Sequence, residues 1–293
     1  MALENKIGVI VDSYQVGVRE GLKKAQAAGA DGVQIYAVKG EFSPEALSPA
    51  ARKEYRDYIS SLGLEISAIC GDLGGHGFQD ASINRQKIDQ SKRIMELAKE
   101  LGTDIVTTHI GIVPDDQNSA IYESMYKACD ELSVFANEMG SYFAIETGPE
   151  TASHLKSFLD TLSSKGVAVN FDPANMVMVT GDDPVQGVHT LKDYIVHTHA
   201  KDGVQFRPIA SRDVYGFLGY EKGMDHEVIA QMAESGEAFR EVPLGEGSVD
   251  WKAYLQALQD IGYKGYLTIE REVGTSPEAD IQLAVDFLKK LKG

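Results

Sequence analysis

Four apolar stretches of the sequence each end on a side chain that can bind a metal ion. The four side chains are Glu146, Asp172, His199 and Glu270. The clearest stretch is Val-Ala-Val-Asn-Phe-Asp-Pro at residues 167–173, which has the pattern of a short buried strand leading into Asp172. If the four strands are parallel neighbours, their ends meet at one edge, and three carboxylates and one imidazole converge. The sequence therefore predicts a divalent-metal site.

The types of ligand indicate which ion this site would take. Three carboxylates and one imidazole, without a thiolate, suit Mn²⁺ or Mg²⁺ and are compatible with Co²⁺, Fe²⁺ or Zn²⁺. We expect one ion, Mn²⁺, since a structural zinc site would need more Cys or His. Taken singly, an acidic residue after a strand is more often a helix N-cap, and a lone His is usually a satisfied polar residue. Four such residues at equivalent positions make chance a poor explanation.

An ion held at this point could support proton transfer on a sugar or polyol. Chelated by a carbonyl oxygen and a neighbouring hydroxyl, it would acidify the hydrogen between them and stabilise the resulting enediolate. Glu146 and Glu270 could take the proton from one face of the substrate and return one to the other. Return to the same carbon gives epimerisation, return to the next carbon gives isomerisation, and loss of a β-hydroxyl gives dehydration. The residues leave these three reactions open.

Other side chains near the predicted strand ends are candidates for substrate binding. They are His109, Asp72, His76, Lys201 and Arg207. His109 could equally make a structural hydrogen bond, the glycine-rich loop that holds Asp72 and His76 could simply form a turn, and the two cations could be solvated surface charges. His197 alternates with His199 along one strand and therefore faces the same side, where it could support the site from below.

Parallel strands must position these side chains, and the hydrophobic pattern of the sequence predicts such strands. Strand-like runs at 6–11, 32–36, 64–70, 104–110, 142–146, 167–172, 194–199 and 264–270 alternate with amphipathic helical stretches. Glycines follow predicted helices where a left-handed cap is favoured: Gly29, Gly63, Gly102, Gly140, Gly166 and Gly262. The alternation is typical of βαβ units, and eight of them predict an α/β protein with a closed (β/α)₈ TIM barrel.

An open doubly wound sheet is the alternative fold. It is disfavoured because no Gly-x-Gly-x-x-Gly follows the first strand. No linker or internal repeat is visible, so residues 1–293 are predicted to form one domain. The irregular part is the long loop after the seventh strand, residues 201–247, which exceeds a normal βα connection. We expect it to contain a helix near residues 226–234 and to fold over the barrel mouth.

The composition restricts the partners of the protein. A net charge of −16 argues against nucleic acid, because an acidic surface repels phosphate backbones. No apolar run approaches the roughly 20 residues of a membrane span, and the first residues lack the apolar core of a signal peptide. We therefore expect no membrane partner and a cytoplasmic location. Cys70 and Cys129 are expected to be free buried thiols.

Four segments of the chain resemble the sugar phosphate isomerase/epimerase family of xylose isomerase-like TIM barrels. They are Asn-Phe-Asp-Pro-Ala-Asn (170–175), His-Thr-His-Ala-Lys-Asp (197–202), Pro-Leu-Gly-Glu-Gly-Ser-Val-Asp-Trp (243–251) and Gly-Tyr-Leu-Thr-Ile-Glu (265–270). The resemblance spans nearly the whole chain. It implies that the four strand-end residues bind the ion, that the two glutamates move the proton, and that the substrate is a small sugar or polyol. By analogy, a homo-oligomer is expected.

The chain departs from the family pattern at one position. Several members carry a second His three residues after the sixth-strand Asp, where this chain has Asn175. We expect Asn175 to contact the substrate, and the change weakens a direct transfer of ketose 3-epimerase activity. A metal-dependent sugar isomerase or epimerase is the leading interpretation. The alternatives are a dehydratase of a keto-polyol such as an inosose, more remotely an AP endonuclease, and a barrel that binds a sugar without converting it.

Overall fold

Eight parallel strands close into a barrel in the computed structural model, which describes residues 4–220 and 236–292. Its strands are β1 (Lys6–Ile10), β2 (Gly32–Tyr36), β3 (Glu65–Cys70), β4 (Ile105–Thr108), β5 (Tyr142–Glu146), β6 (Val167–Phe171), β7 (Ile195–Ala200) and, after a two-stranded insertion, β10 (Tyr266–Ile269). Around the barrel they follow the order β1-β10-β7-β6-β5-β4-β3-β2. The predicted (β/α)₈ TIM barrel is confirmed.

The register of the strands brings the predicted ligands to one end of the barrel. Glu146 on β5 lies opposite Asn170 on β6, and Asn170 lies opposite His197 on β7. His199, two residues further along β7, lies opposite Thr268 on β10. The two other predicted ligands directly follow the last residues of β6 and β10. Every residue of β6 is buried, as expected for a parallel strand covered on both faces.

Helices surround the barrel. They are α1 (Val18–Ala28), α2 (Pro49–Ser61), α3 (Ala81–Leu101), α4 (Ala120–Met139), α5 (Ala152–Leu159), α6 (Pro173–Asn175), α7 (Pro184–Leu191), α8 (Ser211–Tyr215), α9 (Trp251–Asp260) and α10 (Pro277–Lys292). Many begin at a side chain that accepts a backbone N–H, such as Asp80 before α3 and Ser119 before α4. No helix in the described ranges is long and apolar enough to span a membrane.

Glycines end several of these helices as predicted. Gly29, Gly102 and Gly140 are left-handed C-caps with φ of 81°, 99° and 60°. The prediction for Gly166 is wrong, because its φ is not positive. A Cβ at Gly166 would lie 2.0 Å from the carbonyl oxygen of Ser133. Gly166 is therefore required by the close approach of the α4 backbone and not by a cap.

The segment after β7 contains structure that the sequence pattern did not predict. β8 (Asp202–Gln205) pairs antiparallel with β9 (Phe239–Val242), which forms a small separate sheet. Between these strands, α8 packs with Met178 and Phe239 in a second apolar cluster through its Val214. The helix predicted near residues 226–234 lies outside the described residues. The two predicted free thiols are confirmed, since Cys70 and Cys129 are unpaired and buried.

Asp202 ties the end of β7 to the loop that precedes α9. Its Oδ1 accepts the N–H of Val249 (3.2 Å), and its Oδ2 accepts the N–H of Gly245 (3.0 Å) and the indole Nε1–H of Trp251 (2.9 Å). A Cβ at Gly247 would lie 2.0 Å from Asp202 Oδ1, so only glycine fits there. One buried carboxylate therefore joins two motifs, at 197–202 and 243–251, that are far apart in the sequence.

Candidate metal centre and substrate cavity

The four predicted ligands converge at the carboxyl-terminal end of the barrel. Glu146, Asp172, His199 and Glu270 are buried, and their ligand atoms all lie within 4.8 Å of one another. His199 Nδ1 is 3.5 Å from Glu146 Oε1, 3.6 Å from Asp172 Oδ2 and 3.1 Å from Glu270 Oε2. The four residues end consecutive strands of the barrel, β5, β6, β7 and β10, which explains their convergence.

Asp172 is both a helix cap and a candidate ligand. Its Oδ1 accepts the N–H groups of Ala174 (2.8 Å) and Asn175 (2.9 Å), which caps α6. Its Oδ2 is buried and has no hydrogen-bond partner among the described residues. Burial raises the pKa of Asp172, against the opposing charge of Lys201. A buried carboxylate oxygen without a donor fits a cation as its partner.

The surroundings of His199 orient its ring for metal binding. Gln34 donates its Nε2–H to Thr107 Oγ1 (3.1 Å), so Gln34 Oε1 is left to accept from His199 Nε2 (3.2 Å). With Gln34 Oε1 as the acceptor, the ring proton lies on Nε2, although Asn170 Nδ2 is also 3.2 Å from that nitrogen. The Nδ1 lone pair then turns toward the carboxylates. Burial opposes the charged ring, but Glu270 and Glu146 raise the pKa of His199 well above its ordinary value. A proton and a cation therefore compete for Nδ1.

A chain of buried polar side chains supports Glu146. Its Oε1 accepts from Asn175 Nδ2 (2.9 Å) and its Oε2 from Asn170 Nδ2 (3.4 Å). Asn170 Oδ1 accepts from His197 Nδ1 (2.8 Å), and His197 Nε2 accepts from Thr268 Oγ1 (3.0 Å). Burial and the neighbouring imidazole of β7 lower the pKa of His197 well below its ordinary value, which agrees with a neutral ring. His197 therefore supports the site from below.

Lys201 contributes a buried positive charge beside the ligands. Its Nζ is 3.1 Å from Glu270 Oε2 and 4.0 Å from Asp172 Oδ2, and it also contacts the Glu272 carboxylate. Burial disfavours the charged amine, but Glu270 and Glu272 raise the pKa of Lys201 well above its ordinary value. Three ligand carboxylates and a divalent ion leave one negative charge, which Lys201 offsets. The donor set and its surroundings thus fit a divalent cation.

A cavity of about 960 Å³ opens above these ligands. Its apolar wall includes Phe42, Leu73, Val214, Tyr215 and Phe239. Four of the predicted substrate-binding residues line it: Asp72, His109, Asn175 and Lys201. Arg207 and His76 are not among its lining residues. Arg207 is exposed, with Nη2 3.1 Å from Glu237 Oε1.

His109 and Asp72 form a pair at the side of the cavity. His109 Nδ1 is 3.0 Å from Asp72 Oδ2, while Nε2 is 3.9 Å from Glu146 Oε1 and has no hydrogen-bond partner within the described ranges. Burial opposes the charged ring, but Glu146 and Asp72 together raise the pKa of His109 to about 10. The pKa shift favours the protonated ring, and Nε2, which has no acceptor among the described residues, lies at the side of the cavity.

Tyr215 is a cavity residue that the sequence pattern missed. It comes from α8 in the long segment after β7, and its ring centroid is 5.9 Å from that of His109. Gly148, with φ of 140°, permits this approach, since a Cβ there would lie 2.5 Å from the Tyr215 hydroxyl. A single Tyr in a segment without periodicity carries no signal of this position. The Thr-Gly-Pro motif directly after Glu146 is the part of the sequence that could have indicated a close contact.

A buried carboxyl near the site gives a testable pH dependence. Burial raises the pKa of Glu150 from 4.5 to about 7, although the backbone N–H of Val113 donates to it. The folded state thus binds the proton more tightly, so this group lowers stability as pH rises from about 4.5 to 7, by about 3 kcal/mol. Glu150→Gln keeps the acceptor and should be more stable than wild type near pH 8, with little difference near pH 4.5.

Urea unfolding at the two pH values measures this difference. Glu123→Gln is the matched control, because Glu123 is exposed and pairs with Lys127. Its effect should stay within about 0.5 kcal/mol at either pH. Equal stability of wild type and Glu150→Gln near pH 8 would show that burial of Glu150 does not disfavour its charged form.

Comparisons with known proteins agree with this architecture. A family model described as xylose isomerase-like TIM barrel matches residues 22–291. An inosose dehydratase from Lacticaseibacillus casei is 25% identical over 252 residues, which cover 85% of this chain and 71% of that protein. A xylose isomerase domain protein from Planctomyces limnophilus has a TM-score of 0.77 at 25% identity, covering 99% and 98% of the two chains.

A D-tagatose 3-epimerase-like protein is also similar in structure. Its TM-score is 0.71 at 19% identity, over 98% of this chain and 96% of that one, a likeness that concerns the fold. The family model matches the sequence itself, from within α1 to the last turn of α10. The chain belongs to the family of xylose isomerase-like TIM barrels.

Proposed function

We propose that this protein is a divalent-metal-dependent enzyme that isomerises or epimerises a sugar or sugar derivative by proton transfer. The acid and base are Glu146 and Glu270. One observation carries the proposal: these carboxylates end β5 and β10, on either side of His199 in the strand order, at the floor of a cavity. A small polyhydroxy substrate above them would present one carbon to both carboxylates.

Neighbouring side chains orient the two glutamates for proton transfer. Asn175 holds Glu146 through Oε1, and Lys201 holds Glu270 through Oε2. The two carboxylates are thereby oriented before the substrate arrives, and one can remove a proton while the other returns one to the opposite face. A bound divalent ion would polarise a substrate carbonyl. Mn²⁺ is the ion we propose, because the ligands are three carboxylates and one imidazole.

Dehydration of a keto-polyol is the second candidate, and His109 favours it. Elimination of water needs a base for the α-hydrogen and an acid for the departing hydroxyl. Glu146 or Glu270 could serve as the base, and His109, whose pKa shift favours the protonated ring, lines the same cavity. The relative from Lacticaseibacillus casei is named an inosose dehydratase, which agrees with this candidate. The two reactions share the first proton transfer and differ in whether a hydroxyl leaves.

The remaining alternatives have less support. A multi-metal nuclease would need further ligand clusters, and within the described part of the chain one group of metal-binding side chains occurs. The net charge of −16 also disfavours a nucleic acid substrate. A cytoplasmic location and a homo-oligomeric state stay predictions. A barrel that binds a sugar without converting it is distinguished by the following experiment.

Hydrogen exchange in deuterated water tests the proposal. Protein treated with a chelator should exchange no substrate hydrogen, and added Mn²⁺ should restore incorporation of deuterium next to the carbonyl of a ketose or an inosose, followed by NMR. Isomerisation or epimerisation then conserves the substrate mass apart from deuterium, whereas dehydration releases water and creates an ultraviolet-absorbing double bond. Full exchange in the chelator-treated protein would refute the need for a metal, and no exchange across a broad panel would support mere binding.

A further inference from the structure

The cavity in front of the candidate metal centre carries an excess of negative charge. Besides Glu146 and Glu270, five more carboxylates line it: Asp12, Glu41, Asp72, Glu241 and Glu272. In the described ranges, its lining includes two lysines and no arginine. A divalent ion and the two lysines would offset four of these seven negative charges and leave the cavity negative. The field at the cavity therefore repels an incoming anion.

The buried cations in and around the cavity are already engaged by carboxylates of the protein. Lys201 contacts Glu270 and Glu272, and His109 is hydrogen-bonded to Asp72. The other lining lysine, Lys39, is exposed at the mouth.

A buried arginine behind the cavity wall is also paired with carboxylates of the protein. Arg271 is buried with Nη1 2.6 Å from Glu241 Oε1 and Nε 2.8 Å from Asp280 Oδ2. A ligand phosphate or carboxylate would have to displace one of these internal partners to gain a buried cation. Such displacement would leave a carboxylate of the protein buried without its partner, which is unfavourable.

Three backbone N–H groups close to the candidate ligands already donate to carboxylates of the protein. Phosphate groups usually bind glycine-rich loops and helix N-termini, whose N–H groups are free to donate. Here the N–H of Gly74, in the loop after β3, donates to Asp72 Oδ1 (2.8 Å). Lys87 donates from Nζ to the carbonyl oxygens of Gly74 (2.8 Å) and Gly77 (2.7 Å), so it is already hydrogen-bonded within the loop. The first amides of α6 donate to Asp172.

We infer that the substrate is an uncharged polyhydroxy ketone, either a free sugar or a cyclic keto-polyol, and that its phosphorylated or carboxylated counterparts are excluded. The inference rests on the proposed function, since it concerns the ligand of the same site. Hydroxyl groups suit this cavity because they can donate hydrogen bonds to its many carboxylates. A phosphate has oxygens that act mainly as acceptors and would meet carboxylates that cannot donate.

Binding of matched pairs of ligands tests the inference. The probes are D-fructose against D-fructose 6-phosphate, and myo-inositol against its monophosphate. Binding to the Mn²⁺-loaded full chain is measured by the relaxation that the ion causes in ligand protons, with Mn²⁺ in buffer as the blank. The uncharged ligand of each pair should bind at least about tenfold more tightly than its phosphorylated counterpart. Added salt should narrow this ratio, because it screens the repulsion.

Variants locate the discrimination in the cavity. Glu272→Gln removes a negative charge from a residue outside the ligand set. It should lower the ratio of the affinity for the uncharged ligand to the affinity for its phosphorylated counterpart by about three- to tenfold. Glu41→Gln, at the exposed rim, is a second variant in case the first does not fold. Glu54→Gln is the matched control, because Glu54 pairs with Arg19 on the outer surface and should leave the ratio unchanged.

The outcomes separate this inference from the proposed function. Equal or tighter binding of the phosphorylated members overturns the inference, and so does a panel in which no uncharged polyol binds. Deuterium exchange recorded on the same ligands reports on the catalytic proposal. Uncharged ligands that bind without exchange would leave the inference standing and refute the isomerase. Exchange confined to a phosphorylated ligand would support the proposed proton transfer and refute the inference that the substrate is uncharged.

Discussion

Glu270→Gln should abolish exchange of the hydrogen next to the substrate carbonyl while the protein stays folded. Glutamine has the shape of glutamate and keeps an oxygen for Lys201, whose Nζ lies 3.1 Å from Glu270 Oε2. It cannot accept a proton at neutral pH, so the variant loses general acid–base catalysis, which contributes about 10²–10⁴-fold. We therefore expect exchange to fall by at least about 10²-fold, measured by NMR in deuterated water at saturating Mn²⁺.

The double role of Glu270 requires a second measurement on the same variant. Because Glu270 is also a candidate ligand, the loss of exchange could reflect a lost ion. An amide oxygen can still coordinate, so we expect Mn²⁺ affinity to fall by about tenfold while exchange stays abolished at saturation. Glu278→Gln, an exposed partner of Lys24, serves as the control and should behave like wild type. Near-wild-type exchange in Glu270→Gln would remove Glu270 from the mechanism.

The strand ends of the site were predictable from the sequence for a physical reason. Parallel strands of a barrel are buried on both faces, so each appears as a short apolar run, and the first polar residue after it lies at the barrel mouth. Val167–Phe171 followed by Asp172 shows this pattern, and so does the β5 run that ends on Glu146. The convergence of the four ligands follows from topology and needs no knowledge of side-chain contacts.

The rest of the cavity was not predictable because irregular segments supply it. Tyr215 reaches His109 from α8, and β9, in the small sheet with β8, brings Glu241 to the cavity wall. Neither position has a periodicity that a sequence pattern could reveal. The ion-pair partners of charged residues could not be predicted from the sequence either. Lys201 and Arg207 look equivalent in the sequence, yet the first is buried against Glu270 and the second pairs with Glu237 at the surface.

Asp172→Asn should eliminate metal binding without harming the fold. Asparagine caps helices as well as aspartate, so the N–H groups of Ala174 and Asn175 keep their acceptor. Burial raises the pKa of Asp172, which means that the charged side chain destabilises the folded state at neutral pH. The neutral variant should therefore be at least as stable as wild type in the presence of a chelator. Because the single oxygen of asparagine is used by the helix cap, its NH₂ group replaces Oδ2 and cannot coordinate an ion. Mn²⁺ affinity should therefore fall by at least about 100-fold, more than the tenfold loss expected for Glu270→Gln.

Thermal unfolding with and without Mn²⁺ measures both effects. At a free concentration of 100 times its Kd, Mn²⁺ stabilises wild type by about 2.7 kcal/mol, and a 100-fold weaker variant would gain only about 0.4 kcal/mol at that concentration. Asp183→Asn is the matched control, because Asp183 caps α7 through the N–H of Val185 and lies outside the ligand set. It should keep the full response to Mn²⁺. If Asp172→Asn keeps that response too, the ion binds elsewhere, and the two glutamates lose the cation on which their proton transfer depends.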